Sequence, residues 1–436
     1  MRALTVAAIL AVVGAPMASA LLAPRIDVDD AAIAPFPADI TDAEVLLLLA
    51  HQMGLQATRL PIPIAPPDAD LGALASALGA RAGLELAQED IDAFRALDPL
   101  VALPTATLIL AMLQAWDLRD LAFADWTEED YTSAEHALQL GLEPPKVLTP
   151  DQMESLLNAA ILLSDTIESI VIPQLELAAN AGVWPPIAIA DPVGVLRIGS
   201  SGNDIETIDR ILQIDARGDD VYRNNAGGAV IEISPRVVRP IAASIDLSGN
   251  DVYEREIPLP AQGAGRFGIG LLYDLRGDDR YHSLTDSTGS GKVGVGLLRD
   301  ASGADRYRVD LFSLGSSAAG LGYLRDDAGD DIYHAGALAG GSGVTGGMGV
   351  FWDRGGIDEY GSRFGDTAMW GWAETDGKGW FVDETASTDT YVNLFNPSRP
   401  HPRACNTCIW SAGLTPGGRG NDNYGGLAYL IAKQAP

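Results

Sequence analysis

An acidic turn that recurs down the second half of the chain constrains the fold more than any other feature. Six full copies of Asp-x-x-Gly-x-Asp-x-Tyr occur: Asp215/Gly218/Asp220/Tyr222, Asp246/Gly249/Asp251/Tyr253, Asp274/Gly277/Asp279/Tyr281, Asp300/Gly303/Asp305/Tyr307, Asp326/Gly329/Asp331/Tyr333 and Asp353/Gly356/Asp358/Tyr360. The leading aspartates are 31, 28, 26, 26 and 27 residues apart. Degenerate copies flank them, at Gly202-Asn203-Asp204, at Asp383/Asp389/Tyr391 and at Gly420-Asn421-Asp422/Tyr424. Two glycines keep the same register ahead of the leading Asp, as in Gly268/Gly270, Gly294/Gly296 and Gly320/Gly322. Units this short cannot bury a face alone and must stack on their neighbours. Propeller blades need roughly 40 residues or more per repeat, which leaves a right-handed β-solenoid (β-helix) of about eight coils as the expected fold.

Stacking has chemical consequences. Strands about 4.8 Å apart place Leu272, Leu298, Leu324, Phe351 and Phe381 in one apolar column and the aspartates in two acidic ones. Like charges at that spacing cost about 1 kcal/mol per pair in water and about 4 at an effective dielectric near 20. Two neutralisers are compatible with the pattern: backbone amides of the turn, or Ca²⁺ shared between coils. The candidate ligands are Asp215, Asp219, Asp220, Asp246, Asn250, Asp251, Asp274, Asp278, Asp279, Asp300, Asp305, Asp326, Asp330, Asp331, Asp353 and Asp358. Ala304 and Ile357 interrupt the Asp/Asn position before the second Asp, so weaker sites are expected in their coils.

At Gly-Asn-Asp-Val-Tyr (249–253) and Gly-Asp-Asp-Ile-Tyr (329–333) the chain resembles the hemolysin-type calcium-binding repeat, the RTX β-roll. The resemblance implies Ca²⁺ as ligand and implies no activity. That family repeats every nine residues, whereas this turn recurs about every 27, so one coil would carry one acidic turn.

The N-terminal half reads differently. Arg2, the apolar run 3–14 and Ala18-Ser19-Ala20 match a secretory signal peptide over 1–20, so an exported, periplasmic or extracellular protein without a transmembrane segment is expected. A linker over 21–40 leads to an α-helical domain over 41–182. Capping boxes are expected at Thr41 and Thr149, helices over 45–60, 71–97, 105–123 and 132–142, and a break at Pro104. Glu154, Asp165 and Glu168 read as a solvated face. A linker over 183–197, the solenoid over 198–424 and a tail over 425–436 complete an α+β multidomain chain. The formal charge of −30 disfavours nucleic acid as a partner and favours cations.

The remaining motifs are local. Gly263-x-Gly265-x-x-Gly268 leads into another strand and not into a helix, so no nucleotide site is expected. Cys405-x-x-Cys408 is compatible with a small disulfide, a redox pair, or zinc with His401, and is not followed by the His of a haem attachment site. Tryptophans concentrate between Trp352 and Trp410. Trp370, Trp372 and Trp380, with Arg363 and Asp366, either cap the end of the solenoid or contact a glycan. The functional expectation is a calcium-stabilised, non-enzymatic surface or interaction module, with a glycan or another surface protein as partner. The alternative is a β-helix polysaccharide lyase or glycoside hydrolase working through the Trp-rich coils.

Overall fold

The computed structural model describes residues 39–139, 142–233, 236–363, 370–374, 376–384, 389–394, 408–413 and 428–429. The signal-peptide region, Asp366 and Cys405 lie outside them.

The chain opens with helices α1 (Asp42–Gln52), α2 (Leu71–Arg81), α3 (Gln88–Arg95), α4 (Pro99–Ala122), α5 (Glu128–Gln139), α6 (Pro150–Thr166) and α7 (Ile172–Ala181). Thr41 and Thr149 form the expected capping boxes with Glu44 and Gln152. The region expected as one helix over 71–97 is two, because the chain leaves α2 through Gly83 at φ 71°. Pro104 lies inside α4 instead of breaking it: the helix begins five residues earlier, at Pro99, after the Asp98 cap. A π-helical turn, Ile167–Val171, joins α6 to α7.

The rest is a three-sided β-solenoid of about six turns, fewer than the eight expected. In one coil, Ile269–Asp274 belongs to the first sheet, Arg280–Thr285 to the second and Gly291–Lys292 to the third. Neighbouring coils pair in parallel and in register, so that Asp246, Asp274, Asp300, Asp326, Asp353 and Asp383 align, as do Tyr222, Tyr253, Tyr281, Tyr307, Tyr333, Tyr360 and Tyr391. The first sheet is closed by antiparallel strands at both ends, Ile189–Ala190 and Cys408–Gly413.

Alternation along the first sheet splits its side chains between two cores. Leu272, Leu298, Leu324, Phe351 and Phe381 point inward to the tyrosine column. Leu271, Leu297, Tyr323 and Val350 point outward and share one apolar cluster with Leu108, Met112, Leu157 and Leu162 of α4 and α6. The helices therefore roof the first sheet, and its strands are buried on both faces, as their near-continuous apolar sequence requires. Segments Pro99–Ala122 and Pro150–Ala181 are long and apolar enough to cross a membrane; here 61% of the most apolar window of each is buried within the protein.

The roof is fastened by charge. Arg325 Nη1 donates to Asp42 Oδ1 (3.1 Å) and to the Ile40 carbonyl (2.9 Å), and Tyr323 Oη donates to the same Asp42 oxygen (3.0 Å). Arg299 Nη1 donates to Glu168 Oε1 (2.7 Å), whose other oxygen accepts from the Asp42 amide (2.9 Å). Glu168 is thus not on a solvated face. Burial first, and then the charge of Asp42, pushes it up to about 8.

Candidate metal centre along the acidic corner

The corner between the first and second sheets is built from the repeated turn. Its glycine is required by stacking: a Cβ on Gly303 would lie 1.6 Å from the Gly277 carbonyl oxygen, and one on Gly277 would lie 1.5 Å from that of Gly249. Coils meet there backbone to backbone. The aspartates on either side are carried inward, and Asp246, Asp251, Asp274, Asp279, Asp300, Asp305, Asp326, Asp331, Asp353 and Asp358 are all 0–1% exposed.

Each column has its own bonding rule. Leading aspartates from Asp246 to Asp353 accept from a tyrosine hydroxyl through Oδ2, and Asp246 and Asp353 also accept from an amide of their own turn through Oδ1, as Asp246 does from Ser248 N (3.0 Å). The second Asp of one coil accepts from the amide of the second Asp in the coil before it: Asp251 from Asp220 (2.6 Å), Asp279 from Asp251 (2.5 Å), Asp305 from Asp279 (2.6 Å) and Asp331 from Asp305 (2.6 Å). The tyrosines stack with centroids 4.6 to 5.3 Å apart. Tyr253 and Tyr281 reach forward to Asp274 and Asp300 of the next coil (2.7 Å each), whereas Tyr333 and Tyr360 bond Asp326 and Asp353 of their own (2.8 and 2.9 Å). Tyr307 bridges Asp300 and Asp326 (3.2 and 2.9 Å).

These donors do not suffice. Oδ1 of Asp274, Asp300 and Asp326 and Oδ2 of Asp251, Asp279, Asp305 and Asp358 are buried with no hydrogen-bond partner. The aspartates converge in triads with one oxygen of each within 4.8 Å of the others: Asp204/Asp215/Asp220, Asp220/Asp246/Asp251, Asp251/Asp274/Asp279, Asp279/Asp300/Asp305 and Asp305/Asp326/Asp331. Calcium takes oxygens at 2.3–2.6 Å, so ligands across one ion stand up to about 5 Å apart, and the triads fit that span. Without a cation the carboxyls hold protons instead. Burial first, and then a neighbouring aspartate, pushes Asp251 up to about 10 (Asp246), Asp305 to about 12 (Asp300), Asp279 to about 8 (Asp300) and Asp331 to about 9 (Asp353). Asp300 rises only to about 6, because the Tyr281 and Tyr307 hydroxyls oppose its burial.

Of the expected ligands, those in the two buried columns come together. Asp219, Asn250, Asp278 and Asp330 do not join these five triads. They lie at the surface, and each accepts from the amide at the same position in the following coil, as Asp219 does from Asn250 (3.0 Å) and Asp278 from Ala304 (2.9 Å). Ala304 likewise lies at the surface, apart from its own coil's triad, whose members Asp300 and Asp305 both carry an unpartnered oxygen. The repeat tyrosines supply hydroxyls that an Asp-centred reading overlooks, although their fixed offset from the turn was the signal. Arg197 was also missed: it stands where the following coils carry Gln213, Ser244 and Leu272.

The aromatic side chains of the C-terminal coils pack into the interior. Trp370 is 2% exposed and sits against Phe351, Tyr360 and Phe381 at 5.2 to 5.8 Å, and Trp380 is 8% exposed beneath the helices. Those two rings are buried, whereas Trp372 is half-buried and Arg363 pairs with Asp310. Cys408 begins a strand against Lys378–Asp383. No protein family, no curated protein and no solved structure matches this chain.

Proposed function

We propose that this protein is an exported, non-enzymatic interaction module whose β-solenoid is held together by calcium along its acidic corner. The observation that carries this reading is the set of buried, unpartnered carboxylate oxygens converging in threes. A carboxylate withdrawn from water without a partner is costly, and hard oxygen donors at this spacing suit a divalent cation. Two column aspartates per coil balance one Ca²⁺. Exposure of 0–1% keeps the same carboxylates from any substrate, which argues for a structural role. Export is supported by the Ala18-Ser19-Ala20 pattern and predicts a mature chain beginning at Leu21.

The test is calorimetry after exhaustive chelation. Adding free Ca²⁺ to 100 times its Kd is expected to stabilise the fold by about 2.7 kcal/mol per site and to raise the melting temperature. Tb³⁺ in place of Ca²⁺ is expected to luminesce on excitation of the tyrosine column, which bonds the proposed ligands directly. No thermal shift and no sensitised emission would overturn the proposal.

A further inference from the structure

Positive charge is already built into one end of the acidic corner. Arg197, 2% exposed, donates from Nη2 to Asp204 Oδ2 (2.7 Å) and from Nη1 to Asp215 Oδ2 (2.9 Å), with Nε 3.3 Å from Glu206 Oε2. It occupies the first triad, Asp204/Asp215/Asp220. Its register partners in the following coils are Gln213, Ser244 and Leu272, so no later coil can repeat the device at that column.

The hydrogen bonding follows this asymmetry. Asp220 accepts from Asp204 N (2.6 Å) and lies 3.2 Å from the Tyr222 hydroxyl, which donates to Asp246 (2.7 Å); Asp246 also accepts from Ser248 N (3.0 Å). Among the described residues, unpartnered oxygens in the columns begin at Asp251. Downstream, every member of Asp251/Asp274/Asp279 and of Asp279/Asp300/Asp305 carries such an oxygen, and in Asp305/Asp326/Asp331 the third member meets only the Tyr333 hydroxyl at 3.4 Å, whose one proton goes to Asp326 at 2.8 Å.

We infer that Arg197 is the resident cation of the first triad and that metal loading is confined to the coils after it, at the three triads from Asp251/Asp274/Asp279 to Asp305/Asp326/Asp331 whose members each keep an oxygen without a donor of its own. This rests on the calcium reading and narrows it: the sites are not a continuous row of one ion per coil. The N-terminal coils are closed by the guanidinium and stand ready as a template on which the metal-dependent coils stack.

Native mass spectrometry of the full chain in Ca²⁺ tests the inference. The wild type is expected to carry three ions. Arg197→Gln, which removes the charge and opens the first triad, is expected to carry four, and Arg197→Lys three. Asp300→Asn, which belongs to a single triad, is expected to lose one. If Arg197→Gln folds only when Ca²⁺ is added, an ion has replaced the guanidinium and the inference is supported. Should it fold in neither condition, Asp300→Asn decides, and an unchanged count overturns the inference. One ion per coil in the wild type, with no gain in Arg197→Gln, would sink this inference and leave the calcium reading standing. A wild type that takes up no ion would instead sink the calcium reading itself.

Discussion

The two faces of the first sheet bury charge in opposite ways. On the outer face, Asp42, Glu168 and Asp327 meet Arg299, Arg325 and Arg354, so each acid has a guanidinium within 3.1 Å. At the inner corner, reached by the same strands, one guanidinium serves the first triad, and tyrosines and amides share out the rest. The difference lies in what the residues can borrow. The outer face is roofed by helices from far along the chain, which bring Asp42 and Glu168 to arginines of the sheet. The inner corner faces copies of itself, and every copy is acidic.

Three experiments would break or sharpen this contrast. The largest effect is expected from Arg325→Ala, which strands Asp42 beneath the roof. Removing one member of a buried pair costs about 3 to 5 kcal/mol, and equilibrium urea unfolding should show that loss with or without Ca²⁺. Independence from Ca²⁺ is the informative part, because the outer network holds its own cations.

The next concerns pH. Metal-free, the corner aspartates have folded pKa values raised above 3.8, Asp279 to about 8 and Asp331 to about 9, so the native state binds more protons than the unfolded chain between about pH 4 and pH 9. Their stabilising protons are fully present below the unfolded pKa and are lost as pH rises through the folded ones. Chelated protein should therefore melt higher at pH 5 than at pH 8, and saturating Ca²⁺ should flatten or reverse that slope. A chelated protein whose melting temperature climbs from pH 5 to pH 8 would contradict this assignment of the corner.

The smallest effect is expected from Tyr281→Phe. Asp300 loses its 2.7 Å donor and keeps the longer bond from Tyr307, for a cost of about 1 kcal/mol in chelated protein. Differential scanning calorimetry resolves a change of that size.

Much of this was legible in the sequence because the repeat is local. Period, corner, columns and capping boxes follow from residues close together, and Asp274 and Asp300 align as their spacing requires. The burial of Glu168 was not legible, since the arginine that meets it is 131 residues away. Nor was the reason for the turn glycines, which is contact with the neighbouring coil more than the conformation of their own. The exposed Asp/Asn position misled for a related cause: its composition resembles a ligand set, while its side chains spend one oxygen on the next coil's backbone.

The change of partner at Tyr307 means that coils alike in letters are not interchangeable in place. Upstream hydroxyl dipoles run toward the C-terminus and downstream ones run back, so the two series collide at Asp300 and Asp326, which share the one Tyr307 hydroxyl between them. Transplanting the 253 unit into the position of the 333 unit would aim a hydroxyl the wrong way. A designer lengthening this scaffold by copying a coil would have to choose on which side of that collision the copy belongs.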